Sequence, residues 1–269
     1  MQEHALIEKD LSLFYRIEGN GEPVILIHGF GEDSTIWDGI IGELKKEYKL
    51  IVPDLAGSGR STGNLNELTI DSMADQVKLI LKKENIDSCW MIGHSMGGYI
   101  TLAFAEKFPG ELKGLGLFHS TVYADDEEKK GVRLKNIEFI KKYGSTKFLE
   151  QAIPNLFSVN TKQNRPSLVK EVITRYSNFS PTALVAYTQA MKDRPDRSEV
   201  LKKFPNRVLL IIGEFDNIIP IEESMKMCKI ADFAYIYIGA RTGHMGMLEE
   251  PDTSSRMLEN FLIEISPKT

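Results

Sequence analysis

Cys89-Trp90-Met91-Ile92-Gly93-His94-Ser95-Met96-Gly97-Gly98 runs from a short apolar stretch into a serine flanked by glycines. It then opens a second apolar segment, Tyr99-Ile100-Thr101-Leu102-Ala103-Phe104-Ala105. The pattern predicts a strand, a sharp turn and a helix, with Ser95 at the apex. A serine hydroxyl is a poor nucleophile in water. It becomes a useful one when a tight turn exposes it beside a base and near backbone N–H groups. Glycine on either side of such a turn takes up unusual φ/ψ values and lets strand and helix approach closely.

Strands and helices alternate outward from this turn. Residues 4–8 and 11–17 are expected to form an opening hairpin, in which Leu11, Leu13, Tyr15 and Ile17 alternate with polar residues. Val24-Ile25-Leu26-Ile27 is a continuous apolar run, as expected for a strand covered on both faces. Leu50-Ile51-Val52, Leu115-Gly116-Leu117-Phe118, Val208-Leu209-Leu210-Ile211-Ile212 and Tyr235-Ile236-Tyr237-Ile238 read the same way. Met73, Val77, Ile80 and Leu81 mark one face of a helix over roughly 70–84. The helix after Ser95 is expected to run to Phe108, where Pro109 stops it, and Asp252 is expected to cap a last helix. Alternating strands and helices imply a mostly parallel sheet, with the ligand at the carboxyl ends of its strands.

Residues 120–205 interrupt the alternation. They open on Asp125-Asp126-Glu127-Glu128-Lys129-Lys130 and continue as helix-like pieces broken by Gly144, Pro154, Pro166 and Pro181. We therefore expect a core built from residues 1–119 and 206–269, with a helical cap, 120–205, inserted above the active edge.

Two further residues follow Ser95 in a telling order. Asp216 comes after the strand at 208–212, and His244 follows Gly243 in the loop after the last strand. All three are expected on one edge of the sheet. An imidazole is the side chain that changes charge near neutral pH, so His244 is the expected general base. His94 adjoins Ser95, but adjacency in a tight turn points side chains apart. Asp216 is the expected partner of His244, with Glu214 as the near rival.

The chain resembles the α/β-hydrolase superfamily, in particular its cap-bearing carboxylesterases and lactonases. The resemblance rests on Leu26-Ile27-His28-Gly29-Phe30-Gly31, Pro53-Asp54-Leu55-Ala56-Gly57-Ser58-Gly59-Arg60-Ser61, Gly93-His94-Ser95-Met96-Gly97-Gly98, Gly213-Glu214-Phe215-Asp216 and Gly243-His244. It spans nearly the whole core and leaves out the cap. It implies an α/β-hydrolase fold with a mostly parallel sheet, helices on both faces and a Ser95–His244–Asp216 triad in the family's chain order. It also implies structural roles for His28 and Asp54, and places the acid at Asp216 rather than Glu214. The oxyanion hole needs two backbone N–H groups. The first is expected at Met96, after the nucleophile, and the resemblance points to Phe30 for the second.

The activity expected from these residues is hydrolysis of small to medium carboxylic esters through an acyl-enzyme on Ser95. Haloperoxidase-like perhydrolysis and enol-lactone hydrolysis are compatible with the same motifs, as is a slow-turnover ligand sensor. Epoxide hydrolases and haloalkane dehalogenases of similar architecture use an aspartate nucleophile, and Ser95 argues against both. The cap carries Tyr123, Phe139, Tyr143, Phe148, Leu156, Phe157, Tyr187 and Met191. Of these, Tyr123, Phe148, Phe157 and Met191 are expected to line the substrate pocket, together with Phe30 and His119. Trp37 is equally consistent with core packing. Arg133 is a cap cation able to meet an anionic substrate.

Composition sets the outer bounds. A net charge of −5 gives no electrostatic reason to bind nucleic acid or an anionic membrane. No apolar stretch is long enough to span a bilayer. The amino-terminal stretch has no basic region followed by an apolar one, so a cytoplasmic location is expected. Cys89 and Cys228 read as reduced, small apolar residues. No metal or organic cofactor is implied, the expected partner is a small ester or lactone, and the oligomeric state is left open.

Overall fold

In the computed structural model, which describes residues 2–263, eight strands form one sheet. They are β1 (Gln2–Glu8), β2 (Leu11–Glu18), β3 (Glu22–Ile27), β4 (Tyr48–Pro53), β5 (Cys89–His94), β6 (Leu112–Phe118), β7 (Arg207–Gly213) and β8 (Ala234–Gly239). Residue 1 and residues 264–269, the outer ends of the expected core segments, lie outside the described residues. The order across the sheet is β1-β2-β4-β3-β5-β6-β7-β8. The β1–β2 and β2–β4 pairs are antiparallel and every other pair is parallel.

The apolar runs are continuous because helices cover both faces of the sheet. Side chains alternate between the faces, so Ile25, Ile27, Met91 and Leu210 join one core, while Val24, Leu26, Ile92 and Leu209 join the other. Helices α1 (Asp38–Leu44), α2 (Ile70–Lys83) and α3 (Met96–Lys107) connect the early strands. Thr69 and Ser72 close a capping box at the start of α2. Between β6 and β7 lie α4 (Glu127–Ala152), α5 (Val159–Asn164), α6 (Pro166–Tyr176), α7 (Pro181–Asp193) and α8 (Ser198–Lys203). Then α9 (Ile221–Met227) precedes β8, and α10 (Gly246–Glu249) and α11 (Pro251–Ile263) follow it. Gly144 breaks α4 with φ 85° and ψ 170°.

Three local expectations need correcting. β2 is covered on both faces, because Arg16 and Glu18 are buried against Asp38 (2.7 Å) and Lys45 (3.1 Å). β8 is an edge strand, and Ile236 and Ile238 are each 43% exposed; only the Tyr235 side packs on Phe261 of α11. Asp252 does not cap α11. The helix begins one residue earlier, at Pro251, whose fixed φ suits a first helical position.

Candidate active site

The chain runs from β3 out to β4 and returns to β5 beside β3, so the topology reverses between these two strands. Crevices at such points are where open α/β sheets bind ligands. Ser95 follows β5 at this reversal with φ 50° and ψ −114°, a left-handed conformation that is costly for a residue with a Cβ. The turn is held by Ser95 N–H donating to Phe118 O (3.0 Å) and Ser120 Oγ donating to Ser95 O (2.7 Å). The flanking glycines are required by space. A Cβ on Gly93 would run into the backbone of Gly97, and one on Gly97 into the carbonyl of Ile27.

Ser95, His244 and Asp216 form one hydrogen-bonded line. His244 Nε2 lies 2.8 Å from Ser95 Oγ, and His244 Nδ1 lies 2.7 Å from Asp216 Oδ2. The other Asp216 oxygen accepts the N–H groups of Ile218 (2.8 Å) and Ile219 (3.0 Å). Burial pushes the Asp216 carboxyl up, but His244, His119 and the Ile219 N–H outweigh it and hold the carboxyl below its usual range. Glu214, the rival acid, is exposed on the neighbouring turn. The loop carrying His244 is tied down by Gly243 N–H donating to Glu249 Oε1 (2.7 Å) and His244 N–H donating to Leu156 O (2.7 Å). Glu249 Oε2 also accepts from Ser158 N–H and Thr161 Oγ1, so the same carboxylate fastens the loop after β8 to the start of α5.

His28 and Asp54 lie outside this line. His28 Nε2 accepts from Leu55 N–H (3.0 Å) while Nδ1 faces Gly29 O (2.8 Å), which makes Nδ1 the protonated nitrogen. Asp54 accepts Ser34 N–H (2.8 Å) and Arg60 N–H (2.9 Å) and so ties the turn after β4 to the loop after β3. Phe30 lies beside Gly31 (φ 70°) in the loop after β3, and Met96 opens α3, where first-turn N–H groups have no acceptor within the helix.

A cavity of about 530 Å³ reaches Ser95 and His244 and is walled by Phe30, Phe148, Leu149, Ile153, Val172 and Met191, among others. Phe30, Phe148 and Met191 therefore face it, as do Phe139 and Leu156. His119, Tyr123 and Phe157 are not on its wall. His119 is buried behind Asp216, 3.8 Å from its Oδ2. Phe157 is fully buried in the core, and Tyr123 packs against the opposite core cluster while its carbonyl accepts from Arg194 (2.9 Å). Tyr187 is also buried, with its hydroxyl on Ala56 O (2.9 Å), and Tyr143 is exposed. Arg133 borders the cavity but is already paired with Asp125 (3.0 Å). Trp37 packs edge-on against Phe118 (5.6 Å) in the core. Sequence reasoning missed Glu32, Val172, Tyr176 and Thr188 on the cavity wall, and Glu249 behind it. These positions come from four separate segments, with no motif to join them.

A family model described as alpha/beta hydrolase fold matches residues 22–251. The chain belongs to this family. An esterase from Thermogutta terrifontis is 28% identical, with a TM-score of 0.93, and the alignment covers 99% of this chain and 100% of that one. Lipase 1 of Psychrobacter immobilis is 27% identical over 263 residues, which is 93% of this chain and 80% of the lipase. The 2-hydroxy-6-oxo-6-(2'-aminophenyl)hexa-2,4-dienoic acid hydrolase of Metapseudomonas resinovorans is 25% identical over 259 residues, 92% of this chain and 86% of that enzyme. A 35% identical match to an uncharacterized protein of Mycobacterium tuberculosis spans only 95 residues, about a third of this chain (35%) and 28% of that protein's length. No helix among the described residues is long and apolar enough to cross a membrane.

Proposed function

We propose that this α/β-hydrolase is a serine carboxylesterase acting on small to medium esters, with Ser95 as nucleophile, His244 as base and Asp216 as orienting acid. The observation that carries the reading is the unbroken line Ser95 Oγ–His244–Asp216, opening into an apolar cavity. His244 Nε2 takes the Ser95 proton as Oγ bonds to the ester carbonyl carbon. The N–H groups of Phe30 and Met96 hold the oxyanion. Collapse breaks the bond to the alcohol oxygen, which leaves with the proton from His244. Water then attacks the acyl-enzyme, its proton passes to His244 and on to Ser95 Oγ, and the acid is released.

The walls of Phe30, Phe148, Leu149 and Val172 suit an apolar acyl chain. Arg133 at the cavity edge is already paired with Asp125, so its charge is directed away from an incoming acyl chain. A lactone is an internal ester and fits the same chemistry. The reading includes a small-molecule partner and a cytoplasmic location, which the two unpaired thiols, Cys89 and Cys228, favour.

The test is hydrolysis of p-nitrophenyl esters from acetate to palmitate by wild type and Ser95→Ala. Turnover by the wild type that falls at least about 1,000-fold in the variant is expected. Equal turnover by the variant, or none by either, would remove the serine esterase reading.

A further inference from the structure

Two buried ionisable side chains beside the nucleophile take no part in the proton relay. His94 Nδ1 lies 2.9 Å from Glu32 Oε2, and His94 Nε2 lies 2.9 Å from the carbonyl oxygen of His244. The same Glu32 oxygen accepts Gly29 N–H at 2.7 Å. The two side chains are 1% and 4% exposed. Both ring nitrogens of His94 thus face oxygens. A neutral imidazole has one N–H, and would set its remaining lone pair against a carboxylate or a carbonyl; the imidazolium donates to both. A lone buried charge is costly, whereas a buried pair with every hydrogen bond made is tolerated.

We propose that His94 and Glu32 form a charged strut, two positioning residues that hold the oxyanion loop and the His244 loop in register with Ser95. This rests on the serine esterase reading above. The strut joins the ends of three strands. His94 is the last residue of β5, so its backbone moves with Ser95. One ring nitrogen grips the backbone of the base itself, in the loop after β8. The other grips Glu32, whose hydrogen bond to Gly29 holds the residue before Phe30 in the loop after β3. Catalytic groups displaced by about 1 Å can cost on the order of 100-fold in rate, so a brace across all three loops matters to turnover. Trp37 and Phe118 pack edge-on with the His94 ring (6.4 and 6.2 Å) and help to bury it.

The strut has a pH signature. Glu32, His244, Asp216 and His119 face His94, and His28 faces Glu32. Burial pushes His94 down, but the Glu32 carboxylate outweighs it and raises His94 above its ordinary range. Burial pushes Glu32 up, and His94 with the Gly29 N–H brings it below the usual carboxylate range. The strut therefore outlasts an ordinary imidazolium and fails as pH rises through the raised folded His94 value, when one of its two donated bonds is lost. The wild-type kcat should accordingly decline on the alkaline side.

The test compares pH profiles of kcat and KM for wild type, Glu32→Gln, His94→Gln and Ser95→Ala, on the best ester of the p-nitrophenyl series. We expect kcat to fall about 10- to 100-fold in the first two variants, with KM changed by less than about threefold. The alkaline limb should move to lower pH in Glu32→Gln and vanish in His94→Gln, which a loss of packing alone would not produce. ¹⁵N spectra of wild-type imidazoles should show His94 protonated at both nitrogens near neutral pH. Wild-type kcat with an unmoved alkaline limb in both variants would overturn the strut. So would a neutral, single-tautomer His94, a readout that needs no variant to fold. Turnover retained in Ser95→Ala would instead overturn the esterase reading, while the spectra still decide the state of His94.

Discussion

Ser95 holds φ 50° because everything around the turn is too close to let it relax: Phe118 takes its N–H, Ser120 takes its carbonyl, and Gly93 and Gly97 touch backbone to backbone. Strain of this kind costs about 1–3 kcal/mol per residue and survives only where the surroundings over-determine it. Here it lifts Oγ to His244 Nε2. Gly93→Ala tests the point. Its methyl must push α3 off β5, so we expect a stability loss of about 1–3 kcal/mol, as for other overpacked sites, and a fall in kcat of at least about 100-fold. Melting and ester kinetics on the same sample check it, and an unchanged kcat would mean the elbow has more room than its glycines imply.

At the scale of elements, the helices between β6 and β7 wall much of the cavity that reaches Ser95. α4 is broken at Gly144, and beyond the break it presents Phe148 and Leu149 to the cavity. α7 adds Met191 to the cavity wall, and the segment after α4 supplies Leu156, whose carbonyl also holds His244 N–H. Leu156 thus belongs to the cavity wall and also holds His244 in place. Met191→Trp should fill part of the cavity and shift the best p-nitrophenyl ester to a shorter acyl chain, with turnover of the acetate within about threefold of wild type, because transition-state contacts at Ser95 are untouched. An unmoved chain-length optimum would place the acyl chain elsewhere in the cavity.

For the whole molecule, the buried charges set how stability responds to pH. Glu32, Asp125 and Asp216 are held below the ordinary carboxylate range, although burial alone would raise each of them. Asp125 owes this to Arg133 and Arg194. Their contribution is present above the unfolded values near pH 4 and lost as pH falls through the folded ones. His119 works against acid stability over a higher window. Burial pushes its pKa down to about 3, so below about pH 6.5 the unfolded chain takes up a proton that the folded one refuses. Melting temperature should therefore begin to fall just below pH 6.5, well above the carboxylate range. In His119→Leu the decline between about pH 6.5 and 4.5 should be shallower, measured by thermal melts across that range. Parallel curves for the two proteins would mean that His119 takes up its proton in the folded state.

Much of this was legible in the sequence, and the reason is local. The glycine-flanked turn, the continuous apolar runs and the Pro109 stop each depend on a few consecutive residues, so the sheet, the helices on both faces and the places of Ser95, Asp216 and His244 after their strands follow from reading along the chain. Expectations weakened where the outcome depended on neighbours far along it. That β8 is an edge strand, that Arg16 and Glu18 are buried, and that Phe157 and His119 turn away from the cavity are matters of which surfaces meet. Tertiary packing alone decided the His94–Glu32 pair and the grip of Glu249 on Gly243. Residues 32 and 94 carry no mutual signal in sequence. They become partners because β3 and β5 lie side by side and both side chains are buried there, so each charge finds its partner in the other.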